Sequence, residues 1–211
     1  MLNKSTKTRL LDAAELLFAT HGFHNTSLRA ITAKAGANLA AVNYHFGCKE
    51  ALMAAVLERR LIPLNTLRLQ RLDQVATAAA QNQRRPAVRD ILLAFIAPTL
   101  KFKESSGGAK NFITLIGRAI TEPDDPIKTK FIEMIGPLIF RVFTMLCEAL
   151  PLMPRETLHT RLFFALGGLS HAMMMDGRWP TLDPAMKTRH DAKTLIAQLV
   201  PFIAAGLEAT P

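Results

Sequence analysis

Between Gly36 and Lys49 the sequence gathers side chains suited to reading a nucleic-acid duplex. Ala37, Ala40 and Ala41 are small enough for close approach to base pairs and thymine methyls, and Asn38 and Asn43 can hydrogen-bond base edges. Tyr44, His45 and Lys49 follow, where donors to phosphate oxygens belong. Other chemistries find little support. There are no paired carboxylates, no nucleophile with a neighbouring base and no glycine loop to cradle phosphate, so an enzyme is not expected and no cofactor is implied. The six histidines, at 21, 24, 45, 159, 171 and 190, lack ligand spacing with Cys or carboxylates, so no metal is expected. Cys48 and Cys147 lie far apart and fit neither a disulfide framework nor a metal knuckle.

The elements that must position these side chains are helices. Helical periodicity runs almost throughout, and β-alternation is hard to find, which predicts an all-α fold. A first helix over about Ser5 to Thr20 carries Leu10, Ala14, Leu17 and Phe18 on one side and ends at His21-Gly22. Thr26 or Ser27 offers an N-cap for a short helix from Leu28 to Ala35. Gly36 breaks it, and a third helix from Leu39 to His45 follows with Asn38 as its cap. Two short helices joined by a tight glycine turn need a third packed across them, the arrangement of a helix-turn-helix module. Lys49 opens a helix to about Leu61; Pro63 should stop or kink it, and it resumes from Leu64 to Ala80. Five further helices are predicted at 87–102, 109–120, 126–149 (bent at Pro137), 154–176 and 190–208. Ser105-Ser106-Gly107-Gly108 and Thr121 to Pro126 read as loops.

Charge supports a polyanionic partner. Of the net +9, residues 1–60 contribute +4 and residues 61–89 another +4, while the remaining 122 residues are nearly neutral. A localised positive face suits phosphate neutralisation, although anionic membranes and acidic proteins respond to the same field. Arg68, Arg71, Arg84, Arg85 and Arg89 are expected to be scattered on a solvated helix, with a second nucleic-acid surface as the alternative. No stretch approaches an unbroken membrane span, and polar Asn3 to Thr6 after Met1-Leu2 leave no secretory h-region, so a cytoplasmic protein is expected.

The run from Thr26 to Leu52, TSLRAITAKAGANLAAVNYHFGCKEAL, resembles the signature of the TetR family, and residues 11–23, LDAAELLFATHGF, resemble that family's first helix. The close likeness covers roughly residues 8–56. It implies an all-helical homodimer with a DNA-binding domain over 1–50 and a ligand-binding and dimerisation domain over 51–211. Carried over by position, Thr26 and Ser27 would touch phosphate, Asn38, Leu39, Ala40 and Asn43 would face bases, and Tyr44, His45 and Lys49 would anchor to backbone. Cys48 departs from the family's usual serine, which weakens the expected cap of the next helix. Residues 38–47, NLAAVNYHFG, and 200–206, VPFIAAG, are similar to the PsrA-like branch, whose members respond to long-chain fatty acids or their thioesters.

The resemblance thus implies a repressor that binds a palindromic double-stranded operator as a dimer and is released by a small apolar effector. Phe112, Leu115, Phe131, Met134, Phe140 and Met173 are candidates to line the effector site, with ordinary core as the competing reading. The small residues Ala165, Gly167, Gly168, Ser170 and Ala172 suit close helix approach, either at a dimer interface formed by the last two helices or inside one subunit. The rival to regulation is a helical adaptor or architectural protein whose DNA module is not regulatory.

Overall fold

A computed structural model describes residues 4–105, 107–121, 126–174 and 191–210. Among the described residues there are nine helices and no strand: α1 Thr6–His21, α2 Leu28–Ala35, α3 Leu39–His45, α4 Lys49–Gln81, α5 Val88–Glu104, α6 Gly107–Thr121, α7 Pro126–Ala149, α8 Arg155–Met174 and α9 Ala192–Glu208. The predicted loop over 121–126 and the expected helix end at 175–176 fall largely outside the described residues.

The short helices begin and end on the expected punctuation. Ser5, Ser27 and Asn38 each accept a hydrogen bond from the backbone N–H three residues on, capping α1, α2 and α3. Gly36 takes the left-handed conformation at φ 58°, which a side chain would resist, and so turns the chain from α2 into α3.

By contact the chain divides into two compact units: Met1–Pro63 with Ser106–Ile135, and Leu64–Ser105 with Gly136–Pro211. The grouping follows from α6, which packs against α1 and so joins the N-terminal unit. In that unit Leu10, Ala14, Phe18, Ile31, Val42 and Leu52 are fully buried. Glu15, also buried, accepts from Arg59 Nη2 at 2.6 Å and from Arg60 Nε and Nη2 at 2.9 Å each. Three charge-assisted bonds satisfy that carboxylate where water cannot.

In the other unit α5 packs against α9 and α8 against both. Arg161 of α8 donates to the Leu207 and Ala209 carbonyls at 3.2 and 2.5 Å, holding the C-terminal end of α9. Gly168 lies 3.8 Å (from an ideal Cβ) from Leu199 of α9, whereas Gly167 faces open space.

Two expectations are corrected and a third, a stop or kink at Pro63, loses its first alternative. Pro63 neither stops α4 nor splits it: the helix runs unbroken from Lys49 to Gln81. Leu57, Leu61, Leu64 and Leu72 are buried at helical spacing while Pro63 itself is exposed, and burying such leucines at ~1.5–3 kcal/mol each offsets a proline cost of about 3 kcal/mol. Gly107 and Gly108 do not form a loop but open α6. There the Arg60 guanidinium occupies the place a Cβ on Gly108 would take, so the glycine serves close approach rather than a turn. Arg68, expected on a solvated face, is only 3 % exposed. Its Nε and Nη2 donate to Thr99 Oγ1, its Nη1 donates to Asn65 Oδ1 at 2.8 Å, and its guanidinium lies 5.1 Å from the Phe95 ring centroid.

Candidate nucleic-acid interface

Helix α3 buries only Val42 in the module and leaves its remaining side chains exposed or half-buried. Leu39 is 45 % and Tyr44 85 % exposed, with Ala40 and Asn43 exposed beside them. A large aromatic left that open on a seven-residue helix contributes nothing to this chain's core. His45 is half-buried, with its ring centroid 5.0 Å from that of Tyr44 in an edge-on arrangement.

The hydrogen-bonding groups differ in what they have left to offer. Asn43 is exposed, and its amide has both a donor and an acceptor. Asn38 accepts from Ala41 N–H at 2.9 Å, so its oxygen is committed to the cap while its NH2 group remains available. Ser27 is exposed, and its oxygen accepts from Ala30 N–H at 3.1 Å. Thr26 is buried, and its hydroxyl lies 2.7 Å from the Gly22 carbonyl and 3.2 Å from that of Leu17, donating within the module. That hydroxyl fixes the α1–α2 connection rather than facing outward. Lys49 sits with its ammonium 4.2 Å from the Phe23 ring centroid. Burial lowers its pKa, and the Glu50 carboxylate opposes the shift. Cys48 replaces the expected serine without loss of the cap, because Ala51 N–H donates to its Sγ at 3.4 Å.

Sequence reasoning missed how Arg9 contributes. It donates from Nε to the Ala35 carbonyl at 3.0 Å and from Nη2 to the Gly36 carbonyl at 3.3 Å, tying α1 to the turn that aims α3. The only signal in the sequence was an arginine in the first turn of α1 facing a glycine 27 positions on. Arg29 and Lys34 of α2 are exposed and add cations to the same module.

The six effector candidates are divided between the two units. Phe112 and Leu115 are buried on α6, with Phe131 and Met134 half-buried on α7, all in the N-terminal unit. Phe140, 68 % exposed, and half-buried Met173 belong to the other unit. In that unit α4, α5, the chain at 84–87 and the start of α9 border a groove of about 930 Å³, which none of the six lines. No helix among the described residues is long and apolar enough to cross a membrane.

Residues 10–56 match the family model of bacterial regulatory proteins of the tetR family, and residues 93–206 match that of the tetracyclin repressor-like C-terminal domain. The regulator UidR of Escherichia coli K12 is 38 % identical over 52 residues, 25 % of this chain and 26 % of UidR, so the likeness spans about a quarter of that relative. Over the whole chain the fold resembles the fatty acid degradation regulator FadR of Bacillus halodurans, with TM-score 0.66, 14 % identity and full coverage of both chains. FadR of Bacillus subtilis, in complex with stearoyl-CoA, aligns with TM-score 0.62 and 13 % identity over 94 % of this chain and 98 % of its own. PfmR of Thermus thermophilus aligns with TM-score 0.62 and 19 % identity over 95 % of this chain and all of its own. Two family models, one over the helix-turn-helix module and one over more than half of the chain, establish that the protein belongs to the TetR family of DNA-binding helix-turn-helix transcriptional regulators.

Proposed function

We propose that this chain is a cytoplasmic repressor that binds a palindromic operator as a homodimer and is released by a small apolar effector, a fatty acid or acyl thioester. The observation that carries the DNA-reading part is the outward face of α3, where Leu39, Ala40, Asn43 and Tyr44 are all exposed. Asn43 supplies a bidentate amide for a base edge, Leu39 and Ala40 supply apolar contact, and Asn38 adds its free NH2 group. Tyr44, His45, Ser27 and Lys49 flank that face and reach phosphate, with Lys49 acting from its seat over Phe23. Thr26 contributes by fixing the start of α2.

Dimerisation through α8 and α9 is supported by aromatic side chains that one copy leaves open. Phe163 is 56 % and Phe164 73 % exposed on α8, and Phe202 is 75 % exposed on α9. Large aromatics exposed on consecutive helices mark a protein interface. A two-fold pairing gives one module per half-site and hence a palindromic operator. The effector class is supported by the fold shared with a regulator in complex with stearoyl-CoA. For release, the ligand must favour the non-binding state by its differential affinity, commonly ~1–3 kcal/mol.

Selection of bound sequences from a random duplex pool, followed by titration, tests this reading. A symmetric site is expected, with affinity falling as salt rises. Asn43→Ala with Tyr44→Ala should abolish selection while the helical circular dichroism spectrum is retained. Unchanged sequence preference in that variant would overturn the α3 assignment, and operator affinity indifferent to fatty acids and acyl thioesters would overturn the effector assignment. Retention of a protein partner by a variant that binds no DNA would favour an adaptor.

A further inference from the structure

We propose that the groove bordered by α4, α5 and the first turn of α9 binds an amphipathic anion, a small molecule with an apolar segment and one carboxylate or phosphate group. The proposal rests on the ligand-responsive reading only for its regulatory consequence; the site itself is argued from the groove. At about 930 Å³ the groove is of small-molecule size, for which sites of ~300–1,000 Å³ are usual. Its apolar lining includes Val75, Ala78 and Ala79 of α4, Ala94 and Ala97 of α5 and Ile196 of α9. The alanines are too short to fill the space between the helices, which leaves a shallow apolar lane.

Cations surround that lane. Arg71 comes from α4, Arg84 from the chain between α4 and α5, Lys101 from α5 and Lys193 from α9. None of the four makes an ion pair with a described residue. Two carboxylates also line the groove, and both have other work. Glu104 Oε1 accepts from Ala192 N–H at 2.5 Å, and Asp90 sits in the first turn of α5, where a helix favours negative charge. Four cations against two engaged carboxylates, placed around a concave low-dielectric wall, focus positive potential into the groove. A bare polyanion would leave the alanine lane unused, and a neutral lipid would leave the cations unpaired. A molecule carrying both parts uses the whole surface.

Calorimetric titration of the full chain with palmitate, hexadecyl phosphate and neutral hexadecanol tests the site. All ligands are kept below their aggregation limits, and both acids are needed because the geometry admits either head group. At least one acid should bind at one per chain, more weakly at higher salt, and hexadecanol at least tenfold more weakly. Arg71→Glu with Lys101→Glu should weaken acid binding at least tenfold. Ala78→Phe, an exposed change that fills the lane without altering charge, should do the same. Equal binding of hexadecanol, absence of acid binding, or full retention in both variants would overturn the proposal. So would duplex binding lost on charge reversal in a protein that takes up no acid, which would assign these cations to DNA. A gel shift with and without the acid separates the two readings. Binding abolished by both variants alongside an operator affinity indifferent to acid would keep the site and sink the effector role. Operator release that persists in both variants would keep the effector role and sink the site.

Discussion

Arg9 of α1 holds the carbonyl of Gly36, the left-handed residue at the turn between α2 and α3. A second bond from the same guanidinium reaches the neighbouring Ala35 carbonyl at 3.0 Å. The carbonyls at the C-terminal end of α2 have no partner within that helix, and the negative end of the helix favours a cation there. One side chain therefore sets both the angle of α1 across the module and the exit direction of the chain into α3.

Replacing Arg9 with Met keeps the aliphatic stem and removes both bonds. The expected cost is about 1–3 kcal/mol of stability, read from urea denaturation. Operator affinity should fall further than the lost folded fraction accounts for, because α3 loses its fixed aim. Equal operator affinity for the folded fractions of both proteins would show that Arg9 supports stability alone.

The reader module was largely legible because its signals are local. A cap residue, two helical turns and a glycine fix α2 and α3 from sequence alone, and their bounds agree with those expected. What was illegible depends on distant partners. Pro63 reads as a stop or a kink, and the stop is set aside only when the leucines on either side are known to be buried at one register. Gly107-Gly108 reads as a loop unless Arg60 is known to lie against it. Arg68 reads as a solvated cation because nothing in the sequence announces Thr99, 31 positions away, as its acceptor.

Gly108→Ala turns one of these distant contacts into a measurement. A methyl group there collides with the Arg60 guanidinium, which its two bonds to Glu15 hold in place. Alanine gains roughly 0.5–1 kcal/mol in a helix, less in a first turn, whereas disturbing a buried carboxylate's partners costs several. Net destabilisation by about 1–3 kcal/mol is expected. Combined with Arg60→Met the alanine should cost less than it does alone, and additive effects in the double-mutant cycle would refute the contact.

Asp12 gives the acid limb of stability a specific origin. Burial raises its pKa, but hydrogen bonds from Lys4 and Arg59 together outweigh that and bring it below the ordinary 3.8. A carboxyl whose folded pKa is depressed adds stability above its unfolded pKa and loses it as pH falls through the folded value. Asp12→Asn should therefore be less stable than the native chain at pH 6, with the difference shrinking below about pH 4. A difference that stays constant from pH 6 to pH 2.5 in denaturant titrations would exclude this linkage.

Arg68 works in the opposite direction. Burial pushes its pKa down to about 9, since its acceptors are the hydroxyl of Thr99 and the amide oxygen of Asn65 rather than a carboxylate. At neutral pH the folded state keeps a cation that water would solvate better. Arg68→Met fills similar volume without that charge; the desolvation it relieves outweighs the donors it removes from Thr99 and Asn65, so the change should be neutral or mildly stabilising. Thr99→Val removes an acceptor while the cation stays, and it should cost about 1–3 kcal/mol. The pH dependence follows from the depressed pKa: above about pH 9 the unfolded chain holds this proton more tightly than the folded one, so native stability gains as pH rises. The advantage of Arg68→Met should accordingly narrow between pH 9 and pH 11 in parallel denaturant titrations. If Arg68→Met instead loses several kcal/mol at pH 7, the guanidinium's bonds outweigh its desolvation, and Arg68 is a net stabiliser of the α4–α5 seam.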